Sequence, residues 1–138
     1  MDLQEKDQTS LRQTRALVVD DDAFFREYFV DLLKEAGFTE PQTCHGGREV
    51  LNLLHTMRPQ PGLILCDLHM PGSLDGFQVM QGLADMHYDG VVLLISGQQA
   101  HVLHSAKLMG RFHQLRVLGP VEKPVSLAQL QDMLKDIE

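Results

Sequence analysis

Two hydrophobic patterns alternate along this chain. One is a short, uninterrupted apolar run: Ala16–Val19, a weaker candidate around Phe38–Cys44, Leu63–Cys66, Val91–Ile95, and the less regular Arg116–Leu118. Runs such as "LILC" and "VVLLI" lack polar alternation, as strands covered on both faces should. Pro41 interrupts the second candidate and makes it the poorest of the five.

The other pattern repeats apolar residues every three or four positions. Phe25, Phe29, Leu32 and Ala36 predict a first helix, with Gly37 as its left-handed stop. Val50, Leu53, Leu54 and Met57 predict a second, ending before Pro59. Phe77, Met80 and Ala84 predict a third, opening after Asp75–Gly76 with Asp75 as N-cap. Val102, Ala106 and Met109 predict a fourth. Leu127, Leu130, Leu134 and Ile137 predict a fifth, opened by Ser126 and Gln129 in capping-box spacing. The methionines of the third and fourth helices read as core filling. Five strand–helix units in about 120 residues predict an α/β fold, a doubly wound parallel sheet with helices on both faces. Residues 1–14 are polar and unpatterned and read as a flexible N-terminal tail, leaving residues 15–138 as one domain. No internal repeat or interdomain linker interrupts it.

Composition changes this picture little, and charge narrows it. The chain has 138 residues, 43% of them hydrophobic and 22% charged, which suits a globular domain rather than a disordered one. A net charge of −7 without a Lys/Arg run argues against direct nucleic-acid binding. Two cysteines, Cys44 and Cys66, form neither a disulfide framework nor a metal spacing, and Cys66 reads as a small buried hydrophobe. With no signal-peptide core and no run long enough to cross a bilayer, the expectation is a cytoplasmic protein without a membrane partner. His101 and His104 share a helical face but lack a partner cluster, so they read as surface residues.

The unusual feature is Asp20, Asp21 and Asp22, three adjacent carboxylates directly after the first apolar run. Like charges crowded beside a buried strand repel one another and are costly to desolvate, so a positive partner is required. In a doubly wound sheet, ligands bind beyond the carboxyl ends of the strands. The residues delivered to that rim are Asp20 and Asp21 after strand one, Asp67 after strand three, Ser96 after strand four and Lys123 after strand five. Asp22 reads instead as an acid favoured by the helix N-terminus. Clustered carboxylates suit Mg²⁺, which prefers hard oxygen ligands. A carboxylate can also accept a phosphoryl group, with a lysine and a hydroxyl serving the phosphoryl oxygens.

The motifs "LVVDDD", "CDLHMPGSLDG", "LLIS" and "EKP", in this order and each at a strand end, make the chain resemble the receiver domain of response regulators in bacterial two-component (phosphorelay) signalling. That resemblance covers roughly residues 14–138. It implies a flavodoxin-like, five-stranded parallel sheet in order 2-1-3-4-5 with five helices, a three-layer αβα sandwich. It implies Asp67 as phosphoacceptor, supplied by a sensor histidine kinase or a phosphotransfer protein. Mg²⁺, with Mn²⁺ as a substitute, would be held by Asp20, Asp21, Asp67 and the backbone carbonyl of His69. Ser96 and Lys123 would engage the phosphoryl group, and the Lys123–Pro124 bond is commonly cis in the family. The domain would not be an enzyme beyond its own phosphorylation and dephosphorylation. It would signal through the surface of the fourth helix, fifth strand and fifth helix, to an output domain in a longer chain or to a partner protein, with homodimer formation left open. "ISG" with "LRVLGPVEKP" is further similar to receivers that precede cyclic-di-GMP phosphodiesterase domains.

The sequence departs from the family pattern in three places. Pro120 stands where an aromatic usually precedes the lysine by three residues, "PGSLDG" is one residue longer than the commonest loop, and His69 and Gln98 border the site. Three other readings bear on the same residues. A haloacid-dehalogenase-type phosphatase would use an acid after strand one as nucleophile and leave Asp67 idle. A flavodoxin-like nucleotide carrier needs a phosphate-cradling loop after strand one, where this chain has three acids. A receiver acting only as an interaction module would not be phosphorylated.

Overall fold

The computed structural model describes residues 14–70, 76–97 and 114–135. Its strands are β1 (Ala16–Val19), β2 (Gln42–Cys44), β3 (Leu63–Asp67), β4 (Val91–Ser96) and β5 (Arg116–Glu122). Its helices are α1 (Ala23–Glu35), α2 (Gly47–Thr56), α3 (Gly76–Asp85) and α4 (Leu127–Lys135). The strands form one parallel sheet in order β2-β1-β3-β4-β5, as the resemblance implied. Of the five expected helices four are described. The one expected around Val102–Met109 lies outside the described residues, as do His101, His104, Gln98, Asp75 and the tail.

Alternation along the strands explains the apolar runs. Ala16 and Val18, Leu63 and Leu65, and Val91, Leu93 and Ile95 bury against Phe29, Leu32 and Leu33 of α1 and Leu130 and Leu134 of α4. The residues between them, Leu17 and Val19, Ile64 and Cys66, and Val92 and Leu94, bury against Val50 and Leu54 of α2 and Val79, Met80 and Leu83 of α3. Each central strand therefore has a core on both sides, and a polar residue within it would be buried whichever way it pointed.

Helix ends follow their local chemistry. Asp22 caps α1 by accepting from the Phe24 N–H at 2.8 Å. At the other end the Phe38 N–H reaches the Leu33 carbonyl and the Gly37 N–H the Lys34 carbonyl, with Gly37 at φ 106°. That is a Schellman closure, and it takes Phe38 away from the second strand. With Glu40 at φ 51° and Pro41 following, pairing starts only at Gln42, so β2 is shorter than the apolar pattern suggested. Ser126 and Gln129 form the expected reciprocal cap, with bonds of 2.9 Å and 3.1 Å.

β5 is longer than Arg116–Leu118. Its register against β4 slips between Leu118, opposite Leu93, and Val121, opposite Ile95, so three steps on β5 match two on β4. The extra residue is absorbed at Gly119–Pro120, where Gly119 takes φ 86°. The ladder then resumes and carries the chain to Lys123, whose N–H donates to the Ser96 carbonyl at 2.7 Å.

Candidate functional site: an acid cluster bridged by one lysine

Sheet order and register bring the site together. With β1 beside β3, the chain connections diverge at that point and leave a crevice beyond the strand ends. Val19 is in register with Cys66, so Asp20 and Asp67 leave neighbouring strands side by side, about 4.8 Å apart in backbone spacing. Asp67 is itself in register with Ile95, which sets Ser96 one step further along the next strand. Among the described residues, the polar ones that are buried are Asp20, Asp67 and Ser96, at 2%, 5% and 0% exposure. All three stand at this rim.

Lys123 joins them. Its Nζ lies 2.7 Å from Asp20 Oδ2 and 3.4 Å from Asp67 Oδ2, and its side chain is 8% exposed. The other carboxylate oxygens are held by backbone donors: the Asp22 N–H to Asp20 Oδ1 at 2.9 Å and the His69 N–H to Asp67 Oδ1 at 3.3 Å. Burial and then the charge of Asp20 push the Asp67 carboxyl up from its ordinary 3.8 to about 6, against the opposing pull of Lys123 and the His69 N–H. Asp67 is thus buried beside a like charge and incompletely compensated by one ammonium.

Asp21 is exposed at the mouth, and carboxylate oxygens of Asp20, Asp21 and Asp67 lie within 4.8 Å of one another. Three hard oxygen donors converging on one space suit Mg²⁺ or Mn²⁺. The thiols do not compete for this role: Cys44 and Cys66 are buried, and burial, then Glu49, push Cys44 up to about 12.

Every site residue named from sequence within the described segments lies at the expected strand end, and Lys123–Pro124 is cis. Asp22 serves as a helix cap. The haloacid-dehalogenase-type alternative would leave Asp67 idle, yet Asp67 sits among the acids. Three contacts at the site were not anticipated from the sequence. Phe25 places its ring 4.2 Å from Lys123 Nζ, Arg26 donates from Nη1 to the Asp20 carbonyl at 2.9 Å, and Tyr28 donates its hydroxyl to the Val125 carbonyl at 2.6 Å. The available signal was the aromatic cluster "FFREYF" one turn after the acids, which helical periodicity assigns to the core.

The fold and this site define a receiver domain, and the family profile of that description, response regulator receiver domain, matches residues 16–135. The chain belongs to that family. A response regulator from Colwellia psychrerythraea superposes with a TM-score of 0.69 at 28% identity, covering 90% of this chain and 95% of that one. The CheX–CheY–BeF₃–Mg²⁺ complex from Borrelia burgdorferi gives a TM-score of 0.71 at 20% identity, covering 90% of this chain and 88% of that chain, a likeness of fold. Among curated proteins, a protein-glutamate methylesterase/protein-glutamine glutaminase from Oceanobacillus iheyensis is 33% identical over 91 residues, 65% of this chain and 25% of that protein. The chain therefore spans about a quarter of the length of such relatives. Among the described residues no helix is long and apolar enough to cross a membrane.

Proposed function

We propose that the domain, residues 15–138, is a Mg²⁺-dependent phosphoacceptor in which Asp67 receives a phosphoryl group from a sensor histidine kinase or a phosphotransfer protein in the cytoplasm. The observation that carries this reading is the buried Asp67 carboxylate, set against Asp20 and 3.4 Å from the Lys123 ammonium at the strand-end crevice. An Asp67 oxygen forms the new bond to phosphorus as the bond from phosphorus to the donor histidine nitrogen breaks. The imidazole keeps that electron pair, and the product is an aspartyl phosphate. On return, water attacks phosphorus, the acyl oxygen–phosphorus bond breaks, and carboxylate and inorganic phosphate are released. Asp20, Asp21, Asp67 and the His69 carbonyl would hold Mg²⁺, which when bound neutralises phosphoryl oxygen charge. Lys123 supplies a further positive charge, and Ser96 a hydroxyl at the adjacent strand end. The surface made by β5 and α4 would then present the change to an output domain or partner protein.

The test is phosphoryl uptake from acetyl phosphate or a cognate kinase with Mg²⁺. Wild type should become labelled, and Asp67→Asn should take no label while remaining folded. Label retained by Asp67→Asn would refute the assignment.

A further inference from the structure

We infer that Phe25 is a positioning residue for the reaction: its ring face forms one wall of the seat that holds the Lys123 ammonium beside Asp67. The inference rests on the phosphoacceptor reading and adds a residue that reading does not use. Among the described residues, Lys123 Nζ lies 2.7 Å from Asp20 Oδ2, 3.4 Å from Asp67 Oδ2 and 4.2 Å from the Phe25 ring centroid. β5 contributes no ring, since Arg116–Glu122 contains no aromatic residue, so the aromatic wall comes from α1. A cation on a ring face is attracted by the ring quadrupole, and more strongly when it is shielded from water, as this side chain is at 8% exposure.

The ring is itself held. It stacks on the buried Phe29 at 6.0 Å and 27°, and meets Phe24 and Tyr28 edge-on at 5.2 Å and 6.4 Å. Tyr28, on the same helix, anchors the Val125 carbonyl two residues beyond the lysine. α1 thus fixes both the tip of Lys123 and the backbone that carries it. Asp20 alone would draw the ammonium to one side, because it is the nearer carboxylate. The ring adds a third attractive contact and holds the charge within reach of both acids, where a phosphoryl group on Asp67 would meet it.

Two measurements on the full chain test this. By NMR, the Lys123 ε-methylene protons should be shifted upfield by the ring current in wild type and in Phe25→Tyr, and should lose that shift in Phe25→Leu, which keeps apolar bulk. With acetyl phosphate and Mg²⁺, initial phosphoryl uptake should be about tenfold slower in Phe25→Leu and restored in Phe25→Tyr. Absence of the upfield shift in wild type, its survival in Phe25→Leu, or uptake by Phe25→Leu at the wild-type rate would each overturn the inference. Equal impairment of the Leu and Tyr variants would overturn it too, since that marks a packing role. A wild-type chain that takes no label refutes the phosphoacceptor reading instead, and the resonance measurement then decides the seat.

Discussion

Replacing Asp67 with Asn should make the metal-free domain more stable while removing the proposed acceptor. The folded protein holds this acid at about 6 against an ordinary 3.8, with burial the leading cause and the Asp20 charge the second. Raising an acid by that much corresponds to about 3 kcal/mol withheld from the folded state at neutral pH. The sign follows from proton counts. Below 3.8 the carboxyl is protonated in both states and nothing is lost. Between 3.8 and about 6 the unfolded chain releases its proton while the folded one keeps it, so stability falls as pH rises, then levels off. Asn imitates the protonated acid in shape and charge and does not titrate. In EDTA, urea or thermal melts should show wild type and Asp67→Asn nearly equal in stability at the acid end. The gap should open through that window to about 2 to 3 kcal/mol at neutral pH, about 6 to 10 °C in Tm for a domain of this size. A gap independent of pH, or an Asn variant less stable than wild type at neutral pH, would refute the claim that Asp67 is held against its own charge.

Millimolar Mg²⁺ should raise the wild-type Tm because only the folded chain gathers the acids. Concentrations a hundredfold above Kd would contribute about 2.7 kcal/mol, and the shift should shrink in Asp67→Asn. Lys123→Ala should lower metal-free stability by about 3 kcal/mol, since it strips both carboxylates of their shared buried cation, and Mg²⁺ should restore more to this variant than to wild type. Equal Mg²⁺ shifts in the two proteins would count against Lys123 as the internal counter-ion. Gly119→Ala should destabilise by about 2 to 3 kcal/mol, because a Cβ at φ 86° would lie 2.6 Å from the Leu94 carbonyl oxygen. Unchanged melting would show that the β5 irregularity relaxes freely.

The sheet was legible because its central strands are covered on both faces, so "LILC" and "VVLLI" could hardly be anything else once helical periods flanked them. The acids, Ser96 and Lys123 were legible for a related reason: in this fold the residue after each strand goes to one rim, so placing strands places chemistry. Edge elements were harder to read. β2 is shortened by the Gly37 closure and by Pro41, and the extent of β5 is hidden by a proline that a continuous strand would reject. Only a register slip at Gly119 lets the ladder resume beyond it. Phe25, Arg26 and Tyr28 escaped for a different reason. Periodicity identifies which face of α1 packs inward but not what its first turn packs against, and here that partner is a lysine nearly a hundred residues away in sequence.

Charge balance identifies the lysine, rather than the acids, as the group that phosphorylation of Asp67 would pull on. Asp20, Asp21 and Asp67 set three negative charges in one space, and among the described residues the cation in contact with their oxygens is the ammonium of Lys123. Counting these three carboxylates and that ammonium alone, two negative charges remain, the amount one divalent cation would cancel. Phosphoryl transfer to Asp67 would replace a singly charged carboxylate with a group of up to two charges and tip that balance negative again. The acids are anchored, Asp67 within β3 and Asp20 at the end of β1, each also held by a backbone N–H. Lys123 sits nearer Asp20 than Asp67, so a phosphoryl group on Asp67 would draw the ammonium toward it from the Asp20 side. Its backbone is bonded to Ser96 on one side, and two residues on, Val125 is bonded to Tyr28. The backbone around the lysine is thus tied to the end of β4 through Ser96 and to α1 through Tyr28.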